Sequence, residues 1–434
     1  MVSKRVIKQI LLDNRQLVES FKIVHRDVLD DLSYTDDNPL GCKVFVGLRR
    51  AGKSFVLFEK MQQLLQSGHS WDEMLYLSFE DERLEGIDAS DLNALLECHI
   101  EMGGSERPMF FLDEVQNVAG WEKYARRMAD AKHQMWITGS NAKMLSSEIM
   151  TTLGGRFQSV EVYPYSFGEF LRAKGISIPG IENMSTTQRA SLLREFGEFF
   201  AWGGLPEGVG HPARRSYLSS VYQKIYLGDI CARNRISNPN LLRLMLKKVA
   251  ESIKQPISYS RIAKILSSVG GKVSVPTISS YIGYCEESWM LLRLRNICAA
   301  FAERETNSKY YFVDNGLVNL VLIDPETTLL ENLVAVSLLR RYGHGADNER
   351  VFFYHQNVEV DFYIPDEQLA IQVAFSVESD PDTLAREVSA LTKLPQALPC
   401  QRRVIITYDE EKTIDDEHGQ IEVLPCWKWL LHNC

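Results

Sequence analysis

At 434 residues the chain is too long for one hydrophobic core, and roughly 150 residues per domain predicts about three domains. Its 45% hydrophobic and 24% charged residues make it an ordinary globular protein, which excludes the disordered and fibrous classes. The eight cysteines (Cys42, Cys98, Cys231, Cys285, Cys298, Cys400, Cys426 and Cys434) form no C-x-x-C pair, which predicts reduced thiols and excludes a zinc ribbon or a disulfide framework.

Residues Lys4 to Asp30 read as helices leading into a core. The start Met1-Val2-Ser3-Lys4-Arg5 is basic, but Asp13-Asn14-Arg15 interrupts the apolar stretch before a signal-peptide core can form. No run approaches the roughly 18 apolar residues of a membrane span, so the expected location is the cytoplasm, with no membrane partner. The polar stretch Tyr34-Thr35-Asp36-Asp37-Asn38-Pro39 then breaks the chain before the first strand.

The apolar stretch Val44-Phe45-Val46 runs into Gly47-Leu48-Arg49-Arg50-Ala51-Gly52-Lys53-Ser54, a complete G-x-x-x-x-G-K-[ST] phosphate loop. Gly47 and Gly52 let the backbone curl so that N–H groups, including those of Arg50 and Ala51, face the phosphates of ATP. Lys53 reaches the outer phosphates and Ser54 offers its hydroxyl to Mg²⁺. A helix from Phe55 to Leu65 aims its positive end at the anion. An ordinary Gly-rich loop is the alternative, and the strand before and helix after argue against it.

Strand, helix and strand alternate from Lys43 to Tyr163, including Met74 to Phe79, which predicts a parallel sheet with helices on both faces. Met109-Phe110-Phe111-Leu112 reads as a central strand ending in Asp113-Glu114. Asp113 is the expected Mg²⁺ ligand and Glu114 the group that polarises the attacking water; the alternative makes Asp113 a helix N-cap. Gln134 to Thr138 is a further strand, ending in Gly139-Ser140-Asn141 at the sheet edge where ligands sit in open α/β folds. Ser140 or Asn141 is expected to sense the γ-phosphate or orient water, or else to cap a helix starting at Ala142. In Leu153-Gly154-Gly155-Arg156, before an expected strand Ser159 to Tyr163, Arg156 is the candidate charge that stabilises the transition state, in cis or from a neighbouring subunit; otherwise it is a surface arginine in a turn.

These stretches, GLRRAGKS, FFLDE, WITGSN and GGRF, followed by Tyr163-Pro164-Tyr165-Ser166-Phe167-Gly168-Glu169-Phe170-Leu171, resemble the bacterial and archaeal AAA-type ATPases that carry a C-terminal domain of unknown function with a restriction-endonuclease-like fold. The resemblance continues through Phe200-Ala201-Trp202-Gly203-Gly204-Leu205-Pro206-Glu207 and Val358-Glu359-Val360-Asp361-Phe362 and covers most of the chain. It implies an ATPase of the additional-strand class with a winged-helix segment and a nuclease-like tail, and names no cellular task.

After Leu171 the pattern changes. Ala173 to Met184 is loop-like, and helices follow to Leu246. From Leu241 to Leu294 the chain reads as a winged helix, with Arg261 to Leu266 helical and Pro276 to Ile282 opening the helix in the recognition position. Between Leu241 and Lys272 stand seven basic residues (Arg243, Lys247, Lys248, Lys254, Arg261, Lys264, Lys272) and one acidic, Glu251, a local net of +6 in a chain of net −9. The region Leu241 to Tyr281 is therefore a candidate footprint for duplex DNA, the alternative being a solvated face used for protein contacts.

In the C-terminal part, Leu330 to Ala335 opens a helix carrying Glu331, Val358 to Ile364 is a strand carrying Asp361, and Leu369 to Ala374 is the next strand. Restriction-endonuclease-like enzymes use a helix glutamate, a strand aspartate and an E-x-K on the following strand for Mg²⁺ and hydroxide. Here Gln372 stands at the second acid and Ala374 at the lysine, so the expectation is a retained fold without hydrolysis that serves a protein partner, with Asp361 alternatively a structural acid paired to a nearby base.

The expected architecture is α/β: an AAA-type P-loop parallel sheet with N-terminal helices over 1–172, a helical and winged-helix middle over 173–300, and a degenerate restriction-endonuclease-like domain over 301–434. The expected function is Mg²⁺-dependent ATP binding and hydrolysis driving a conformational change or assembly, with a homo-oligomer as the natural context for Arg156. An ATP-regulated DNA-binding module with negligible turnover is the first alternative, and an ATP-gated nuclease the second.

Overall fold

The computed structural model describes residues 2–30, 32, 42–140, 144, 147–177, 180, 184–343, 349–395, 398–416 and 419–432. The chain divides into two compact units, Met1–Val162 and Tyr163–Cys434.

The first unit begins with helix α1 (Lys4–Ser20), whose Ser3 side chain accepts the Val6 N–H as an N-cap and whose Ile7, Ile10, Leu11, Asn14 and Val18 form one buried stripe at helical spacing. Five strands follow: β1 (Cys42–Val46), β2 (Met74–Ser78), β3 (Met109–Asp113), β4 (Met135–Gly139) and β5 (Phe157–Glu161). All neighbours are parallel, in the order β2-β3-β4-β1-β5. Strands β1, β3 and β4 are buried along their whole length, as strands covered on both faces must be, whereas the edge strand β5 exposes Gln158 and Ser159. Helices α2 (Lys53–Gln66), α3 (Asn93–Glu101), α4 (Trp121–Asp130) and α5 (Ser147–Leu153) supply the connections.

This strand order places the functional segments side by side. β4 lies between β1 and β3, so the phosphate loop after β1, the acids ending β3 and the residues ending β4 share one carboxyl edge. The last strand ends at Glu161 where the sequence pattern extends it to Tyr163; the Val162 N–H still donates to the Val46 carbonyl, at 2.7 Å.

The second unit opens with α6 (Phe167–Ala173) and α7 (Thr186–Trp202), each begun by a reciprocal capping box, Ser166 with Glu169 and Ser185 with Gln188. α8 (Arg214–Gln223) continues into a π-helical stretch, Lys224–Ala232. Then come α9 (Pro239–Glu251), β6 (Ile257–Ser258), α10 (Tyr259–Gly270), α11 (Val275–Glu287), β7 (Leu291–Asn296), α12 (Phe301–Thr306), β8 (Asn307–Phe312), α13 (Asn315–Val321) and α14 (Glu326–Tyr342). β9 (Phe352–His355), β10 (Glu359–Ile364), β11 (Leu369–Val373), α15 (Pro381–Thr392), β12 (Arg402–Thr407), β13 (Lys412–Asp416), β14 (Gly419–Pro425) and α16 (Cys426–His432) complete it. The strands form one mixed sheet of nine, β13-β14-β12-β11-β10-β9-β7-β8-β6, so strands before and after residue 300 share a sheet. Among the described residues no helix is long and apolar enough to cross a membrane.

Candidate functional site

The phosphate loop is shaped by three residues with positive φ: Gly47 at 152°, Arg50 at 64° and Gly52 at 96°. At Gly47 any side chain is also blocked by space, since a Cβ would lie 2.1 Å from the Val162 carbonyl oxygen. Ala51 is buried in the loop, its N–H donating to the Leu48 carbonyl at 3.1 Å. Its carbonyl accepts from Arg26 Nη1 at 2.9 Å, and the Arg26 N–H donates to Glu59 of α2 at 3.0 Å. Arg26 thus braces the loop from the segment before β1.

Lys53 opens α2 and is 3% exposed. Its Nζ donates to the carbonyls of Gly47 and Leu48, at 3.2 and 3.0 Å. Burial holds this ammonium below the usual lysine range, and the charges of Glu114 and Asp113 only partly offset it. Such a cation gains from a further anion, as a phosphate-binding lysine should.

Asp113, the last residue of β3, accepts from Ser54 Oγ at 3.0 and 2.8 Å and from Thr138 Oγ1 of β4. It therefore lies in the strand and is no helix cap. Burial, then repulsion by Glu114, push its carboxyl up to about 6 against these hydrogen bonds. A buried acid with a raised pKa beside a hydroxyl fits a divalent cation, which relieves the cost of ionising it. Glu114 follows with φ 52°, a left-handed conformation rarely taken by a residue other than glycine, and its N–H donates to Thr138 Oγ1 at 2.9 Å. Its Oε1 lies 3.8 Å from Lys53 Nζ. Burial opposes its ionisation, but Lys53 and then the Gln116 amide outweigh this and hold it below the ordinary glutamate range.

Ser140 is buried beside this pair, its Oγ accepting from Gln116 Nε2 at 3.4 Å. Asn141 lies outside the described residues. Arg156 is paired at the surface, Nε to Asp130 Oδ1 of α4 at 2.6 Å and Nη1 to the Gly154 carbonyl at 3.2 Å. Gly47, Arg50, Ala51, Gly52, Lys53, Ser54, Asp113, Glu114 and Ser140 are thus brought together, and Arg156 is drawn to Asp130. The residues that sequence reasoning missed are Thr138, Gln116 and Arg26. Thr138 follows from the strand order, because β4 separates the loop strand from the acid strand and its side chain must span them.

The C-terminal acids follow the alternative reading, in which Asp361 pairs with a nearby base. Sequence reading leaves them without a lysine, because Ala374 stands at the E-x-K position. The structure supplies one from elsewhere: Lys309 of β8, fully buried, lies 3.2 Å from Glu331, 3.1 Å from Glu359 and 3.1 Å from Asp361. Burial alone would lower this ammonium; Glu331 leads the charges that drive it well above the usual range, so it is a fixed cation and no general base. Gln372 is accounted for too. Its Oε1 accepts the Asp361 N–H at 2.7 Å and its Nε2 donates to Glu387 at 2.7 Å. A carboxylate at 372 would still accept the Asp361 N–H but would set an acceptor in place of a donor against Glu387, so the amide fits this corner better than an acid. Glu331, Glu359, Asp361, Gln372 and Glu387 line a cavity of about 460 Å³, with Lys254 and Arg386 also on its wall.

Of the basic island, Arg243, Lys247, Lys254, Arg261, Lys264 and Lys272 are exposed, whereas Lys248 pairs with Glu251 at 3.3 Å. α11 carries no lysine or arginine.

Residues 41–171 match the family of the AAA domain, and residues 193–328 match a domain of unknown function. An uncharacterized protein of Methanocaldococcus jannaschii is 32% identical over 99% of this chain and 96% of its own length. An uncharacterized protein of Haemophilus influenzae is 31% identical over 90% of this chain and 94% of its own. Among solved structures, a Walker-type ATPase of Pyrococcus abyssi overlaps 71% of this chain and 100% of its own at 14% identity with a TM-score of 0.43. Cdc6p of Pyrobaculum aerophilum overlaps 77% and 98% at 14% identity with a TM-score of 0.24.

Proposed function

The chain belongs to the family of these archaeal and bacterial proteins with an AAA-type P-loop domain, and from that premise we propose that it is a Mg²⁺-dependent ATPase whose turnover drives a conformational change or an assembly. The observation that carries this reading is the joint placement of Lys53, Ser54, Asp113 and Glu114: an under-neutralised buried ammonium, a hydroxyl on a strained-up acid, and an ionised carboxylate beside both. ATP phosphates replace the Gly47 and Leu48 carbonyls as partners of Lys53. Ser54 and Asp113 would hold Mg²⁺, which when bound neutralises charge on the transferred phosphoryl group. Glu114 accepts a hydrogen bond from the attacking water and polarises it, and Ser140 stands where it can hold the outer phosphate or that water.

The test is steady-state ATP turnover of the wild type and Glu114→Gln. The variant keeps size and hydrogen bonding but loses the charge that polarises water, so it should bind ATP and turn over at least about tenfold more slowly. Equal rates would transfer the role to another group.

A second reading has its own support in the six exposed lysines and arginines of the basic island: duplex DNA bound through phosphates along α9, α10 and the segments that follow them, with ATP setting the assembly state. The absence of basic side chains on α11 favours binding without strong sequence preference. Log affinity should fall with log salt at a slope of about −4 to −5, and no binding at low salt would remove this reading. The C-terminal part we read as a restriction-endonuclease-like fold that has lost hydrolysis and serves a protein partner, its acids gathered around the internal cation Lys309.

A further inference from the structure

Gln116 stands two residues beyond Glu114, in the 3-10 turn Val115–Asn117 that follows β3. Its Nε2 donates to Glu114 Oε2 and to Ser140 Oγ. Its Oε1 is buried and, among the described residues, accepts no hydrogen bond. A buried unmatched acceptor is costly, so this orientation of the amide needs a cause. Turning the amide over would set its oxygen against the Glu114 carboxylate, which accepts only, so Glu114 itself dictates which end faces it. The fold also keeps the space clear. A Cβ on Gly139 would lie 1.7 Å from Met144 Sδ and 2.7 Å from Gln116 Oε1, so a larger residue there would have to displace one or both side chains.

Glu114 is consequently held from two sides, by Lys53 toward Oε1 and by Gln116 at Oε2. The first hold weakens when the Lys53 ammonium turns to phosphate oxygens, because the same charge is then shared with a stronger anion. The second does not involve the nucleotide. We propose that Gln116 is a positioning residue of the hydrolytic site, clasping Glu114 and tying it to Ser140 so that the carboxylate keeps its aim at the attacking water once Lys53 has engaged ATP. The proposal rests on the ATPase reading above. No bond is made or broken at Gln116; it acts through Glu114.

Two variants of the full chain test it. Gln116→Met keeps the length of the side chain and removes both polar ends, and Gln116→Glu keeps its shape but replaces the donor by an acceptor. Both should lower kcat at least about tenfold, while KM for ATP and the Kd of an ATP analogue with a non-hydrolysable β,γ link change by less than about threefold. An unchanged or increased kcat in Gln116→Met overturns the proposal, and so does a loss of analogue binding that parallels the loss of kcat, which would make Gln116 a packing residue. Wild type and Glu114→Gln measured alongside separate the two readings. A wild type without turnover removes the ATPase assignment itself. A wild type that turns over, with an inactive Glu114→Gln and an active Gln116→Met, removes the clasp alone.

Discussion

Lys53 and Lys309 are both closed off from solvent, yet Lys53 Nζ rests on two backbone carbonyls with Glu114 3.8 Å away, whereas Lys309 Nζ lies 3.1–3.2 Å from three carboxylates. Burial pulls the first ammonium down and its acids only partly restore it; around the second the carboxylates outweigh burial and drive it up. A buried cation is stabilised in proportion to the carboxylate charge set against it, which three acids supply within 3.2 Å of Lys309 and which reaches Lys53 chiefly from Glu114 at 3.8 Å. By that measure Lys53 has room for a further anion, as the proposed phosphate role requires, while the C-terminal acids share one internal cation and burial pushes the Glu331 carboxyl up to about 7.

The comparison is broken most forcefully at Lys309. Lys309→Met leaves Glu331, Glu359 and Asp361 facing one another without a counter-ion, and breaking a buried pair costs about 3–5 kcal/mol, read by urea unfolding. Millimolar Mn²⁺ or Mg²⁺ should recover part of that loss in the variant and add nothing to this centre in the wild type, because a divalent cation is the other means of neutralising the acids. A loss below about 1 kcal/mol would contradict a closed centre.

Lys53→Met should behave in the opposite way. It should change nucleotide-free stability little, since a poorly compensated buried ammonium is removed, but abolish the gain of about 2.7 kcal/mol that ATP with Mg²⁺ provides at a hundredfold excess over its Kd. Melting scans with and without nucleotide check both halves, and a retained ligand shift would remove the phosphate-loop assignment.

Next in size is the effect of pH. The Asp113 carboxyl is raised to about 6 in the nucleotide-free protein, above its unfolded value near 3.8. A raised acid stabilises the folded state fully below the unfolded value, and that contribution is lost as pH rises through about 6. The free protein therefore gains from Asp113 on acidification, while Mg²⁺ needs it ionised. Mg·ATP should bind about tenfold more weakly at pH 5 than on the plateau above pH 7, through this group alone. Calorimetric affinities that stay flat from pH 8 to pH 5 would show that protonation of Asp113 does not compete with the metal in that range.

The smallest effect is expected at Arg156. Its pair with Asp130 is half-exposed, so Arg156→Ala should change stability by less than about 1 kcal/mol. If turnover nevertheless falls tenfold or more, and mixing with Lys53→Ala homomers restores part of it, the side chain leaves Asp130 to serve a neighbour's site. Unchanged turnover would confine it to the ion pair.

The sequence by itself determined the phosphate loop, the acid pair at the end of a buried strand and the alternation that makes a parallel sheet. Each is a local rule: Gly47 and Gly52 answer backbone conformations at their own positions, and the runs at 42–46, 109–113 and 135–139 are mostly apolar because each strand is covered on both faces. Only the tertiary structure decided what crosses between strands. Thr138 meets Asp113 because β4 inserts between β1 and β3, and Gln116 reaches Ser140 for the same reason. Lys309 meets Glu331 and Asp361 from positions 22 and 52 residues away, with no spacing that announces it. Motif reading looked for the lysine two residues after Gln372, where the covalent chain would put it. Electrostatics requires only that a cation occupy the centre of the acids, and strand β8 delivers it there.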